Sequence, residues 1–256
     1  MTKGLPILSV SVLLATLCFA PASAEPVNFL ELVSNAPSRE VLGAIHLGTD
    51  INVRNRYGET PLMLAAESNR DPGVVTALIA AGADPNARSS AGKQTALMRA
   101  AGFNRNPAVV AALVNLGASL AMKDAFGSTP LMYASEFNDN PEVIRTLLKA
   151  GADILDRDDS GATCLMYAAE SNENIALIKV LLAAGADPNA TGRDGRTPLM
   201  WAAWHNRNPA VITTLLAAGA ERSARNAAGL TAFDYAQDNP RLKATDAYRQ
   251  LTEAKK

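Results

Sequence analysis

The feature that most limits what this chain can fold into is a unit of 34 residues that recurs along it. Thr60, Thr95, Thr129, Thr163, Thr197 and Thr231 are spaced 35, 34, 34, 34 and 34 residues apart. A glycine stands shortly before each: Gly58, Gly92, Gly127, Gly161, Gly195 and Gly229. The clearest copy is residues 195–220, GRTPLMWAAWHNRNPAVITTLLAAGA. Thr197 can cap a first helix with its hydroxyl, and Pro198 suits the first helical position because no amide is missed there. Leu199, Ala202 and Ala203 then share one face at helical spacing. Asn206 is expected to turn the chain in a left-handed conformation. Asn208 and Pro209 restart a helix by the same logic, Val211, Ile212, Leu215 and Leu216 form its apolar stripe, and Gly219 stops it. Both helices are shorter than the roughly 12–15 residues that an isolated helix needs in water. They must therefore stack on copies of themselves, as the units of a helical solenoid do.

The pattern G-x-T-P-L-x-x-A-A followed by L-L-x-x-G-A-D resembles the ankyrin repeat, and it runs from residue 27 to about residue 250. The tetratricopeptide repeat shares the period but lacks T-P-L and G-A-D. The resemblance implies an all-α solenoid of helix–turn–helix units joined by turn fingers, with strands limited to short pairings in those fingers. It implies binding of another protein, and it implies no cofactor.

Two columns depart from the family. Where ankyrin repeats usually carry His after T-P-L, this chain has Met63, Met98, Met132, Met166 and Met200. Methionine is apolar and adaptable, so the column reads as packing that replaces a polar tie. Between the two helices stands N-x-[N/D]-P, beginning at Asn69, Asn104, Asn138 and Asn206, with the proline missing after Asn172. The insertion accounts for 34 residues instead of the family's roughly 33. The asparagines suit either a hydrogen-bonded ladder or a set of helix caps.

Residues 1–24 read as a leader removed from the mature protein: Lys3 is the basic start, residues 5–20 are apolar, and Ala22, Ser23 and Ala24 form a small-residue cleavage site. Cys18 follows Leu17, which argues against a lipid-modified cysteine. No other stretch is long and apolar enough to insert the mature chain in a membrane. Removing Lys3 from the 24 basic residues leaves 23 against 25 acidic ones, a net charge of −2. That balance offers no field for nucleic acid. Cys164 is then the one remaining thiol, so no internal disulfide can form, and its place inside the stack reads as a small buried hydrophobe.

Residues 25–57 form a degenerate first unit and N-terminal cap, with Phe29, Leu30 and Val33 in one helix, Pro37 ending it and Ser38 capping the next. Five full units follow at 58–91, 92–126, 127–160, 161–194 and 195–228, the second lengthened at Lys93 and Gln94. Residues 229–256 form the C-terminal cap, ending in a polar helix over 241–254. The G-A-D aspartates Asp50, Asp84, Asp153 and Asp187 recur once per unit and read as turn residues. The two histidines, His46 and His205, have no cysteine at ligand spacing, so no metal site is expected. No nucleophile elbow, phosphate-cradling loop or paired-histidine helix motif is present, which argues against an enzyme.

The aromatic residues carry the functional reading. In each first helix the residue after the methionine and those three and four further on lie on one face, apart from the Leu/Ala/Ala face. That face carries Phe103, Tyr133, Glu136, Phe137, Tyr167, Glu170, Trp201, Trp204 and His205, with Tyr235 continuing it. Of the twelve aromatic residues after residue 24, seven fall in this stripe, and Tyr57 and Phe126 sit at turn tips beside it. The resemblance implies that this face and these tips line the concave groove that grips partners. The first position of each trio also fills space between stacked helices. Together these readings describe an exported bacterial protein, monomeric and periplasmic, that presents a rigid groove to another protein. The alternatives are an immunity or inhibitor protein against an exported toxin or enzyme, an accessory factor for a periplasmic enzyme of oxidative defence, and a secreted effector. Export has a direct check: intact mass of the protein from the periplasmic or culture fraction is expected to show a chain beginning at Glu25, and a full-length cytosolic chain would refute it.

Overall fold

The computed structural model describes residues 28–252; the leader and cleavage site expected over residues 1–24 lie outside them. Fourteen helices are found among the described residues, and no strand. They alternate between two rows. The first row holds α1 (Phe29–Asn35), α3 (Pro61–Ser68), α5 (Ala96–Phe103), α7 (Pro130–Phe137), α9 (Cys164–Ser171), α11 (Pro198–His205) and α13 (Ala232–Ala236). The second holds α2 (Ser38–His46), α4 (Pro72–Ala80), α6 (Pro107–Asn115), α8 (Pro141–Lys149), α10 (Ile175–Ala183), α12 (Pro209–Ala217) and α14 (Asp246–Thr252). Each helix packs on the next in its own row and on its partner in the other, so one continuous core runs the length of the stack.

Local chemistry explains most starts and stops. The Thr60, Thr95 and Thr197 hydroxyls accept from the amides of Met63, Met98 and Met200 at the first turn. Proline occupies the first turn of α3, α7 and α11. The methionine column is buried, each member at most 1 % exposed. In two units the sulfur also lies 3.4–3.5 Å from the capping threonine's amide, at Met98 and Met132. The column therefore packs, as its chemistry suggests. Second helices end in a glycine with positive φ, Gly219 at +91° among them. The G-A-D aspartates cap turns: Asp50, Asp84, Asp153 and Asp187 each accept from the amide two residues on.

The linker between the helices departs from expectation. Asn206 is extended (φ −67°, ψ 139°), not left-handed. Its side chain explains why: the column has a tertiary task that the extended backbone serves. Asn69, Asn104, Asn138, Asn172, Asn206 and Asn239 are all buried. Each amide nitrogen donates to two carbonyls of the preceding unit, as Asn138 does to Ala101 at 2.8 Å and Asn104 at 2.9 Å. Its oxygen accepts from the amide two residues ahead, Asn140 in that case. A second, outer rung runs beside it. Asn106, Asn140, Asn174 and Asn208 cap the second helices with one side-chain atom and donate with the other to carbonyls of Arg70, Arg105, Asp139 and Glu173. Asp71 does the same work in reverse, accepting from the Ser38 amide at 2.9 Å. Ser38 is therefore the first residue of α2, not its cap.

The fingers between units are also stitched together. Gly127 has φ +83°, and a Cβ there would lie 2.7 Å from the Asp159 amide nitrogen of the next finger. That close approach lets the Asp159 amide donate to Phe126 at 3.0 Å. Arg54, Arg88, Lys123 and Arg157 each reach a carbonyl one unit on. The added residue at Lys93 takes a left-handed φ of 55° at the tip of its finger. The final helix starts at Asp246, not residue 241, because Leu242 is drawn into the core and Thr245 caps the helix by accepting from the Tyr248 amide. Cys164 is buried, and burial pushes its thiol up to about 12, so it is unreactive near neutral pH.

Asn138→Ala would leave two buried carbonyls and an amide without partners, and a loss of about 1–3 kcal/mol is expected in urea unfolding. Leu199→Ala, truncating a fully buried side chain, is expected to cost about 2–5 kcal/mol. Reductant and chelator are expected to leave the wild-type melting temperature unchanged.

Candidate functional site

The face left over after core and ladder are formed belongs to the first-row helices and the fingers beside them. Its residues divide into two classes. Tyr133 is only 8 % exposed, and Tyr167, Trp201 and Tyr235 are part-buried. The tyrosines are wedges whose hydroxyls are tied to the adjoining finger nine residues earlier. Tyr133 donates to Asp124 at 2.9 Å, Tyr167 donates to Asp158 at 2.6 Å, and the Tyr235 hydroxyl accepts from Asn226 at 2.8 Å. Gln94 adds a bond to the Tyr133 hydroxyl at 2.7 Å. Burial and the neighbouring carboxylates raise both Tyr133 and Tyr167 well above the usual phenol range.

The second class stays in solvent. Phe103 is 47 % exposed, Phe137 48 % and Trp204 37 %, with Tyr57 at 45 % and Phe126 at 71 % on the fingers. Phe103 and Phe137 stack with centroids 5.3 Å apart, and Tyr133 backs Phe137 at 5.9 Å. Gly102 lies under these rings, and a Cβ there would make ordinary contact with the Tyr133 ring at 3.4 Å and with Phe137 at 3.6 Å. Two units on, Trp204 stacks on His205 at 4.2 Å and tilts against Tyr235 at 5.4 Å. The Arg196 guanidinium sits 5.0 Å from the Trp201 ring centroid and 4.9 Å from that of Trp204. Arg56 lies 4.6 Å from the ring centre of Tyr57. The sequence-predicted residues thus form two clusters: Phe103, Tyr133 and Phe137, and Trp201, Trp204 and His205. Phe126 and Tyr57 remain on separate fingertips.

The charges on this face pair off, with one exception. Arg99 bridges Glu59 and Glu67. His205 Nδ1 meets the Glu170 carboxylate at 2.8 Å. Arg196 pairs with Asp194. Glu136 is half-buried, and no hydrogen bond or ion pair reaches its carboxylate among the described residues. Burial first, then the Glu170 and Asp124 carboxylates, push it up to about 7 from an ordinary 4.5. Arg196, Asp124 and Asp158 were not singled out from sequence, and Gln94 was read only as part of a lengthened finger. For Asp124 and Asp158 a signal existed, since each stands nine residues ahead of a tyrosine and three ahead of the finger glycine.

No group of three or more His, Cys, Asp or Glu residues placed to hold a metal exists among the described residues, and no helix there is long and apolar enough to cross a membrane. A shallow depression of about 310 Å³ lies at the ends of α3 and α5 beside Phe103.

A family model described as ankyrin repeats (3 copies) matches residues 32–124, 62–158, 97–191 and 155–226. The chain belongs to the ankyrin-repeat family. Among solved structures it is similar to the human ASB11 ankyrin repeat domain, with a TM-score of 0.75 and 24 % identity, over 88 % of this chain and 96 % of that one. It is also similar to the ankyrin repeat domain of Bcl-3, with a TM-score of 0.65 and 28 % identity, over 83 % and 95 %. Among curated proteins it is 37 % identical over 84 residues to the mitochondrial disaggregases of Bos taurus and Homo sapiens. That match takes in 32 % of this chain but only 12 % of those proteins' length.

Glu136 holds its proton more tightly in the folded chain than in the unfolded one. Its contribution to stability is complete below the ordinary carboxylate range and is lost as pH rises through about 7. Glu136→Gln is therefore expected to raise the melting temperature at pH about 8, with the gain shrinking towards pH about 5.

Proposed function

We propose that this chain is an exported, monomeric scaffold that binds another protein along the first-row face. Ankyrin repeats generally bind proteins and are generally non-catalytic, and the reading assigns this chain no catalysis of its own. The observation that carries it is the contrast on one face. Phe103, Phe137 and Trp204 expose a third to a half of their surface, while the helices bearing them are locked by core and ladder. Large rings held in place lose little freedom when a partner covers them, and such residues commonly dominate binding energy. Export and a periplasmic location rest on the leader-like residues 1–24. The match to the disaggregases takes in only 12 % of their length, so their named activity is not transferred.

The test uses the mature chain as bait against periplasmic extract. The double variant Phe137→Ala with Trp204→Ala is expected to weaken partner capture about thirtyfold or more while circular dichroism stays unchanged. Lys149→Ser with Lys179→Ser, on the exposed side of α8 and α10, is expected to leave capture intact. A folded double variant that still captures would move the interface elsewhere, and an unfolded one would make the rings part of the core.

A further inference from the structure

The first-row face carries a carboxylate whose surroundings ask for a cation. Every other charged side chain near it already has a partner. On the preceding helix, α5, Arg99 is held by Glu59 and Glu67. On the following helix, α9, Glu170 is held by His205 of α11, and the Tyr167 hydroxyl is held by Asp158. On its own helix, α7, the Tyr133 hydroxyl is tied to Asp124 of the adjoining finger. No counter-ion reaches Glu136, although Glu170 and Asp124 bear on it with the same sign. The next residue along α7, Phe137, exposes half its surface and stacks on Phe103.

A half-buried carboxylate without a counter-ion, on the same helix as the open ring of Phe137, fits one kind of side chain. The ring faces take an alkyl stem or a flat guanidinium, and a cation near a ring gains from its quadrupole. The carboxylate takes the charged end. A neutral apolar partner would instead bury Glu136 further with nothing to offset its lost hydration.

We infer that the stretch between Phe103, Phe137, Glu136 and Tyr167 is a receptor for a lysine or arginine side chain projecting from a partner segment whose adjacent residues are apolar. The inference rests on the scaffold reading above and gives that partner its chemistry. The carboxylate must be ionised to hold the cation, so docking releases the proton that Glu136 otherwise shares with solvent near neutral pH. Affinity therefore rises with pH, from weak at about 5.5 to full at about 8.

The probe is a phage-displayed random peptide library panned on the mature chain at pH about 8, with binders then synthesised and their Kd measured. Selected peptides are expected to share a lysine or arginine flanked by apolar residues. Replacing that residue by norleucine, or Glu136 by Gln in a chain with unchanged circular dichroism, is expected to raise Kd about tenfold. The two changes together are expected to cost no more than either alone. The Glu136→Gln penalty is expected to fade at pH about 5.5, where the wild-type carboxyl is protonated. Glu142→Gln, on the second-row helix α8, is expected to leave Kd unchanged. Apolar binders without a basic position would overturn the cation receptor while leaving the scaffold reading in place. Basic binders that ignore Glu136→Gln would overturn it at this site. A chain that selects nothing, while a control ankyrin-type bait yields binders, would overturn both.

Discussion

The structure depends on how neighbouring units satisfy one another's backbone carbonyls. The helices are seven to nine residues long, apart from the five-residue α13, and each leaves carbonyls at its end with no partner inside the helix. In the core of a stack water cannot reach them. The buried asparagine of each unit supplies two donors to carbonyls at the end of the preceding first-row helix, and the capping asparagine beside it supplies a third. A leucine at that place would pack but leave those groups orphaned, at a cost comparable to losing each bond. The ladder also fixes the distance and angle between units, because three bonds to defined atoms tolerate little slippage.

That rigidity matters for the outward face. A side chain on a single short helix would be carried on a frame that frays. Here Phe103, Phe137 and Trp204 stand on helices whose opposite faces are fully buried, and Tyr133 and Tyr167 tie α7 and α9 to the fingers that precede them. The chain thus separates two kinds of work by side of helix. Leucine, alanine and methionine build the stack on one side. Aromatic and charged residues are held in fixed relation on the other.

The electrostatics of that face show the same economy of pairing. Glu59, Glu67 and Arg99 form one closed set, Glu170 and His205 another, Asp194 and Arg196 a third. Arg196 does double duty, since it also covers the two indoles. Glu136 stands outside these sets because its lengthwise neighbours are Gly102 on one side and Glu170 on the other. Neither can neutralise it. Its raised proton affinity follows from position alone.

Periodicity determined the solenoid, because helices this short have no stable existence except against copies, and a repeating Leu/Ala/Ala face permits one way of stacking. The caps, the glycine stops and the buried methionines were legible for the same reason: each depends on residues within a few positions. The task of the asparagine column was not legible, since a cap and an inter-unit donor require the same residue. Only the positions of carbonyls some 34 residues away distinguish them, and those positions also hold Asn206 extended where local preference suggested a left-handed turn. The aromatic stripe was visible as a stripe, and its first positions, Tyr133 among them, read as partly space-filling, yet sequence could not give the depth of Tyr133 or the openness of Phe137. That division depends on which ring meets a finger carboxylate and which meets Gly102 and Phe103. Burial and pairing are properties of the assembled stack, so tertiary structure alone decided them.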